Sequence, residues 1–391
     1  MNTKELDQKY IMSTYSRHEP VIDHAKGCVL YGEDGKEYLD FGSGIGTLSL
    51  GSCDGGYISA VTAQLEKTQH VSNYFASAPA SHLAEKLMTL TGYSKVFFCN
   101  SGAEANECAI KIARKYSFDK YGKNRNTIIT FDKSFHGRTV TTLSATGQDV
   151  FHNYFFPFTE GFRYCEFNNK DALKAALTDD VCAVMFECIQ GEGGVNVMDR
   201  DFAAFMKEQC EKRDILLVCD EVQTGVGRTG TLYSFESFGI KPDVFTSAKG
   251  LAGGLPIGAA IVGEKCADIL TRGTHGSTFG ANPVSCAAAN YVISKISEKS
   301  FLENVKQNGE YLGNALSKIG GSKNLGVRGK GLMLGIKTSV PTSEFADKAL
   351  ENGLFVLTAG KDVIRILPPL IITKEEIDKG VAILEKTFSQ F

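Results

Sequence analysis

Short apolar runs alternate with helix-length amphipathic stretches from about residue 95 to residue 262, and few architectures accept that rhythm. The runs VFFC, TIITF, CAVMF, ILLVC, VFT and AAIV are almost wholly Val, Ile, Leu, Phe, Ala and Cys. Unbroken apolar runs suit strands buried on both faces, and a crossover between parallel strands needs about a dozen residues, usually a helix. The pattern predicts an α/β protein with a largely parallel sheet. Its strands are expected at 96–99, 127–131, 182–186, 215–219, 244–246 and 259–262. Ahead of them, CVLY and EYLDF flank Asp34-Gly35 and read as a hairpin. Beyond Pro283 a long helical stretch precedes strands expected at 331–337, 354–357 and 363–366, with helices around 344–351 and 374–388. The expected organisation is a large domain at 49–285 and a smaller α+β domain at 286–391, with the N-terminal segment and hairpin (1–48) packing against the latter.

Three segments carry chemistry. Asn100-Ser101-Gly102-Ala103-Glu104 follows a strand and opens a helix. It fits the S-x-x-E capping box, the simpler reading of the segment alone, and it is also compatible with a cradle in which free backbone N–H groups hold a phosphate. At 215–223 the run ILLVCDEVQ ends an apolar strand in two carboxylates, at the edge where open α/β sheets bind ligands. Asp220 there suits a metal, a general base, a partner for a protonated ring nitrogen, or a simple cap. In TSAKGLAGG, Lys249 ends another strand and is followed by Gly250, Gly253 and Gly254. A lysine held at a sheet edge and partly desolvated has the lowered pKa that covalent amine chemistry needs. A phosphate cradle, a strand-end aspartate and such a lysine together match the protein's share of pyridoxal-phosphate chemistry.

Composition removes several alternatives. Lysine and arginine number 42 against 45 acidic residues, so no nucleic-acid affinity is expected. No apolar run approaches the roughly 18 residues of a membrane span, and the first twenty residues lack a signal-peptide core, so a cytoplasmic protein is expected. The 11 cysteines include no CxxC pair and several sit in apolar runs, so free thiols are expected. The 7 histidines form no HxxxH or His/Cys cluster, and no metal site is expected. GVGRTG at 225–230 resembles a dinucleotide fingerprint, but it follows a strand ending in Asp-Glu, and Asp243 precedes the next strand instead of ending it.

Six motifs in order, FFCNSGAEANE, SFHGRT, QGEGGV, DEVQTGVGRTG, THGSTFGANP and VIRILPPLIIT, resemble the class III pyridoxal-phosphate aminotransferases of fold type I. The likeness runs from about Tyr15 to the C-terminus. It implies a large domain with a mostly parallel, seven-stranded-type sheet flanked by helices, plus a smaller α+β domain. It implies that Lys249 binds pyridoxal 5'-phosphate covalently and later moves the substrate proton, and that Asp220 holds the pyridine nitrogen. Val222 and Phe135 would pack on the ring, with Glu221 among the cofactor contacts. Gln223 would bond the phenolic oxygen, and Ser101, Gly102 and Ala103 would grip the phosphate. Thr278 would reach the phosphate in a neighbouring subunit, which implies a homodimer with shared sites.

The same resemblance implies small-molecule substrates held by arginines, whose planar fork suits carboxylates. Arg138 would take the α-carboxylate of an acylated ornithine and Arg365 that of 2-oxoglutarate or glutamate. Glu192 would neutralise Arg365 when that carboxylate is absent, and Ser277 is a further substrate contact. The implied reaction moves the δ-amino group of N2-acetyl-L-ornithine to 2-oxoglutarate, in arginine biosynthesis. Succinylornithine, ornithine, 4-aminobutyrate and aminoadipate-pathway amines are the alternatives. The chain departs from the family at Cys53-Asp54, where relatives often carry a GHxHP-like stretch, at Cys188 for a common proline, and at Ala281 for a common glycine. Ile45 stands where ornithine aminotransferases tend to have a tyrosine that bonds the free α-amino group.

Overall fold

The computed structural model describes residues 1–391. Its central sheet has seven strands in the spatial order Lys95–Cys99, Gly258–Val262, Val244–Ser247, Leu216–Asp220, Val181–Phe186, Thr127–Phe131 and Phe162–Cys165. All neighbours are parallel except that Gly258–Val262 runs antiparallel to both strands beside it. The link from Ser247 to Gly258 explains the reversal. It holds a single turn at Lys249–Leu251 and a glycine-rich loop, too little chain for a helical crossover.

Side chains alternate across this sheet with period two. Ile129, Phe131, Val184, Phe186, Leu217, Cys219, Phe245 and Ile261 enter one large core, while Ile128, Ala183, Met185, Leu216, Val218, Val244 and Ala260 enter a second on the other face. Lys95–Cys99, Leu216–Asp220 and Val244–Ser247 all point the same way, so Asn100, Asp220 and Lys249 arrive at one edge.

A four-stranded sheet follows, in the order Asn324–Lys330, Met333–Thr338, Val363–Ile366 and Leu357–Ala359, with Gly335 opposite Arg365. A second four-stranded sheet joins Ile22–Lys26, Val29–Gly32 and Glu37–Asp40 to Leu354–Phe355, so the N-terminal hairpin pairs with the C-terminal part of the chain. The expected strand at 354–357 is therefore divided between two sheets. Three strands carry too little apolar signal to be read from sequence: IDHAK, FRYC and NLGVRGK are mixed in polarity and largely exposed or half-buried. The helical stretch after Pro283 is two helices, Pro283–Ile296 and Lys299–Leu316. All 11 cysteines are free, and Cys53 alone is exposed. No helix is long and apolar enough to cross a membrane.

Candidate active site

At the carboxyl edge of the central sheet lies a cavity of about 370 Å³ lined by Ser101, Gly102, Ala103, Phe135, Arg138, Glu192, Asp220, Val222, Gln223 and Lys249, among others. Larger hollows lie under the N-terminal helix (about 810 Å³) and along the helices Ala78–Thr91 and Pro283–Ile296 (about 1160 Å³). Neither is reached by Lys249 or Asp220.

The helix Gly102–Tyr121 begins on the cavity wall with Ser101 as its N-cap, the Ser101 Oγ accepting from the Glu104 N–H at 3.2 Å. The expected reciprocal bond is shifted by one residue. Glu104 accepts from the Asn100 N–H at 2.9 Å and from the Ser101 hydroxyl at 3.1 Å, not from the Ser101 N–H. The first amides of a helix have no carbonyl four residues back, so those of Ser101, Gly102 and Ala103 remain for an anion at the positive end of the helix dipole. Gly102 is required by close approach: a Cβ there would lie 2.6 Å from Val222 Cγ1. Gly102→Ala is expected to lower affinity for pyridoxal phosphate about tenfold by pushing Val222 into the cavity, and Val222→Ala in the same chain should restore most of it. Titration of the apoenzyme followed by absorbance measures both.

Asp220, the last residue of its strand, is buried and heavily organised. Its Oδ2 accepts from Asn106 Nδ2 and from His136 Nδ1, each at 2.8 Å, and its Oδ1 accepts from the Val222 N–H at 3.0 Å. An ionised carboxylate only accepts, so the His136 proton sits on Nδ1. Asn106 Oδ1 is fixed in turn by the Thr246 hydroxyl at 2.7 Å. Three donors on about four lone-pair sites leave Asp220 able to accept one more N–H from the cavity.

Glu221 is a correction. Strand alternation sends it to the opposite face, where its carboxylate accepts from Ser234 Oγ (2.6 Å), Thr224 Oγ1 (2.6 Å) and the Phe235 N–H (2.9 Å). It does not line the cavity, and burial raises its pKa. Its Oε1 lies near the Cys219 and Cys188 thiols, but these three donors already occupy the carboxylate.

Lys249 opens a one-turn 3-10 segment at φ +39°, in the left-handed region that side chains rarely adopt. The residue keeps an opening to the cavity while protein surrounds its ammonium. Burial pulls the pKa below the usual lysine value; nearby Glu192 opposes this and Arg365 reinforces it.

Arg365 is 3% exposed, inside the strand Val363–Ile366, and is paired in a two-pronged bridge with Glu192: Nη1 to Oε1 at 2.5 Å and Nη2 to Oε2 at 3.2 Å. Gln223 joins them, accepting from Arg365 Nη1 at 3.0 Å and donating to Glu192 Oε1 at 3.1 Å. Burial favours the neutral acid, but the arginine prevails and holds Glu192 below its ordinary pKa. Arg138 lies across the cavity, exposed and with no carboxylate partner, its guanidinium 4.2 Å from the Phe151 ring centroid and 5.6 Å from that of Phe135.

Ser277 stands just outside the lining. Its Oγ accepts from Asn100 Nδ2 at 3.1 Å and from the Gly280 N–H at 3.0 Å, which makes it a brace of the cradle. Thr278 is exposed on the same loop and does not reach this chain's own cavity. Of the departures, Asp54 caps the helix Gly55–Leu65 through the Tyr57 N–H at 2.8 Å, and Ala281 adopts φ +62° without a glycine's freedom.

Sequence reasoning missed His136, Asn106 and Glu187. Glu187 directly follows the strand Val181–Phe186, the same strand-end signal that marks Asp220. It is buried and accepts from the N–H groups of Phe135 (3.1 Å) and Gly191 (3.3 Å), tying the Phe135 segment to the loop that carries Glu192. Burial, and next the neighbouring Asp220, hold its pKa well above the usual carboxylate range.

A helix N-terminus free for phosphate, a buried acceptor for a ring N–H and a desolvated lysine fit one group, pyridoxal phosphate. Residues 11–388 match the family model described as aminotransferase class-III, and the chain belongs to that family. It is a pyridoxal-phosphate-dependent transaminase. It is 48% identical to the acetylornithine aminotransferase of Haemophilus ducreyi, across 99% of this chain and 98% of that one. Its fold superposes on the ornithine aminotransferase of Toxoplasma gondii with a TM-score of 0.95 at 31% identity, covering 100% of this chain and 96% of that one. The N-acetylornithine aminotransferase of Stenotrophomonas maltophilia gives a TM-score of 0.87 at 36% identity, covering 99% and 98%.

Proposed function

We propose that this enzyme transfers the δ-amino group of N2-acetyl-L-ornithine to 2-oxoglutarate, yielding N-acetyl-L-glutamate 5-semialdehyde and L-glutamate, as a cytoplasmic homodimer in arginine biosynthesis. The observation that carries the reading is the Arg365–Glu192 bridge beside Lys249, with an unpaired Arg138 across the same cavity. Two arginines, one capped by a movable carboxylate, suit an enzyme that must accept two different carboxylate-bearing substrates in turn.

The amides of Ser101, Gly102 and Ala103 would hold the cofactor phosphate, and Asp220 would keep the pyridine nitrogen protonated. Val222 and Phe135 would bracket the ring, and Gln223 would donate to the phenolic oxygen. The cofactor supplies the electron sink that makes the substrate's C–H bond acidic. Lys249 Nζ would take that proton and return it, a task its lowered pKa suits. Arg138 would orient the α-carboxylate of the acylated ornithine while Glu192 keeps Arg365 neutralised. When 2-oxoglutarate enters, Glu192 would swing off and leave Arg365 to its α-carboxylate. Thr278, exposed on its loop, would complete the phosphate site of the second subunit.

Free ornithine is the second reading, favoured by the T. gondii likeness. Ile45 argues against it, since an apolar side chain offers no hydrogen bond to a free α-amino group. Single-turnover absorbance on the yellow holoenzyme decides. N2-acetylornithine and glutamate should each bleach the visible band fast and 4-aminobutyrate should not; faster reaction with ornithine or 4-aminobutyrate would move the substrate assignment. In the same assay Glu192→Gln should shift the ratio of glutamate to acetylornithine rates about tenfold, because it weakens the bridge that restrains Arg365. An unchanged ratio would remove the switch.

A further inference from the structure

Arg228, within the glycine-rich run 225–230, has no part in the chemistry above, yet it is 1% exposed and hydrogen-bonds no carboxylate. Its guanidinium donates instead to backbone and hydroxyl. Nη1 reaches the carbonyls of Leu332, at 3.1 Å, and Pro368, and Nη2 reaches Ser43 Oγ at 3.4 Å. Ser43 Oγ passes the connection on by donating to the Leu367 carbonyl at 2.6 Å. Asp40 is the nearest opposing charge, but its Oδ1 is engaged by the N–H groups of Gly42 (2.8 Å) and Ser43 (2.7 Å). Burial lowers the Arg228 pKa to about 9, so it remains a cation at neutral pH.

The groups it holds are not arbitrary. Leu332 immediately precedes the strand Met333–Thr338, and Pro368 follows the strand Val363–Ile366 by two residues. These strands pair with Gly335 opposite Arg365. The same loop begins at Gln223, which accepts from Arg365 Nη1. The loop itself cannot easily slide: a Cβ on Gly227 would meet Ile296 Cγ2 at 2.5 Å. A desolvated charge is costly, and a methionine would fill similar space. Only a planar fork of donors ties two strand ends and a third segment at once.

We propose that Arg228 is a positioning residue for substrate selection: it locks the two strands around Arg365 to the loop after Asp220 and so sets where Arg365 presents its guanidinium. Lys249 and Asp220 stand at strand ends of the central sheet, whereas Arg365 lies on one of the two clamped strands and meets the cavity lining through Glu192 and Gln223. The inference rests on the reading that Arg365 takes the dicarboxylate.

The test compares Arg228→Met, Arg228→Lys and Ser43→Ala holoenzymes in single-turnover titrations with glutamate and with N2-acetylornithine, beside wild type and Arg365→Ala. Misplacing a binding group by about 1 Å costs up to roughly a hundredfold. Arg228→Met is expected to weaken glutamate about tenfold, in apparent dissociation constant, and acetylornithine less than threefold, with the visible band retained. Arg228→Lys should recover part of the loss, and Ser43→Ala should show a smaller loss in the same direction. Equal weakening of both substrates, or none, overturns the proposal. If Arg228→Met does not fold, Ser43→Ala decides by the same criterion. Unimpaired glutamate binding by Arg365→Ala would instead sink the Arg365 reading, a result separable from the others.

Discussion

Lys249→Ala should lose the visible cofactor band, lose covalent retention of pyridoxal phosphate after borohydride reduction, and turn over at least about 10⁴-fold more slowly. The size follows from two roles on one atom. On the proposed reading the lysine is both the covalent anchor and the base that moves the proton, a role worth roughly 10²–10⁴ alone. No other lysine lines the cavity to take over either task. The left-handed turn at φ +39° places this side chain between Glu187, Glu192, Arg365 and Asp220, so loss of the ammonium also removes a cation from among three carboxyl groups. Rapid-scan absorbance and intact mass after reduction read the two roles separately. Covalent retention in the alanine variant would place the anchor on another residue and end the assignment.

The second large effect is expected at Asp220→Asn, which keeps the shape and removes the charge. Turnover should fall about 10²–10³-fold, the scale seen when one preorganised electrostatic partner is lost. Stability should fall too, by about 1–3 kcal/mol, because the new amide has to place an NH2 group among the donors of Asn106, His136 and Val222. His136 Nε2 is already buried without a partner, so the imidazole has no easy second orientation. Thermal denaturation of holo and apo forms, set beside single-turnover rates, separates the two consequences. Activity within about threefold of wild type would show that the ring nitrogen does not depend on this carboxylate.

Much of the site can be read before any fold is known, for reasons that differ residue by residue. Asp220 and Lys249 each terminate an apolar run, and period-two strands with helical crossovers bring such ends to one edge. Arg365 sits in VIRILPP, where a buried guanidinium demands an acidic partner, and Glu192 is that partner at 2.5 Å. Glu221 shows the limit of motif reading. Its position beside Asp220 suggests the cofactor, while the same alternation that turns Asp220 toward the cavity turns Glu221 toward Ser234. His136, Asn106 and Glu187 carry weaker signals, because a histidine in FHGRT or an asparagine inside a helix is unremarkable until both meet Asp220 Oδ2.

Local chemistry alone settles the apolar strands of the central sheet, though not its edge strand Phe162–Cys165, together with the cap at Ser101, the hairpin at Asp34-Gly35 and the lysine that ends TSAK. These depend on periodicity and turn propensity within a few residues. Folding in three dimensions decides the reversed strand Gly258–Val262, the union of Glu37–Asp40 with Leu354–Phe355, the trio under Asp220 and the clamp at Arg228. Each joins segments from tens to hundreds of residues apart, and their partners are chosen by burial and hydrogen-bond satisfaction that no local pattern encodes.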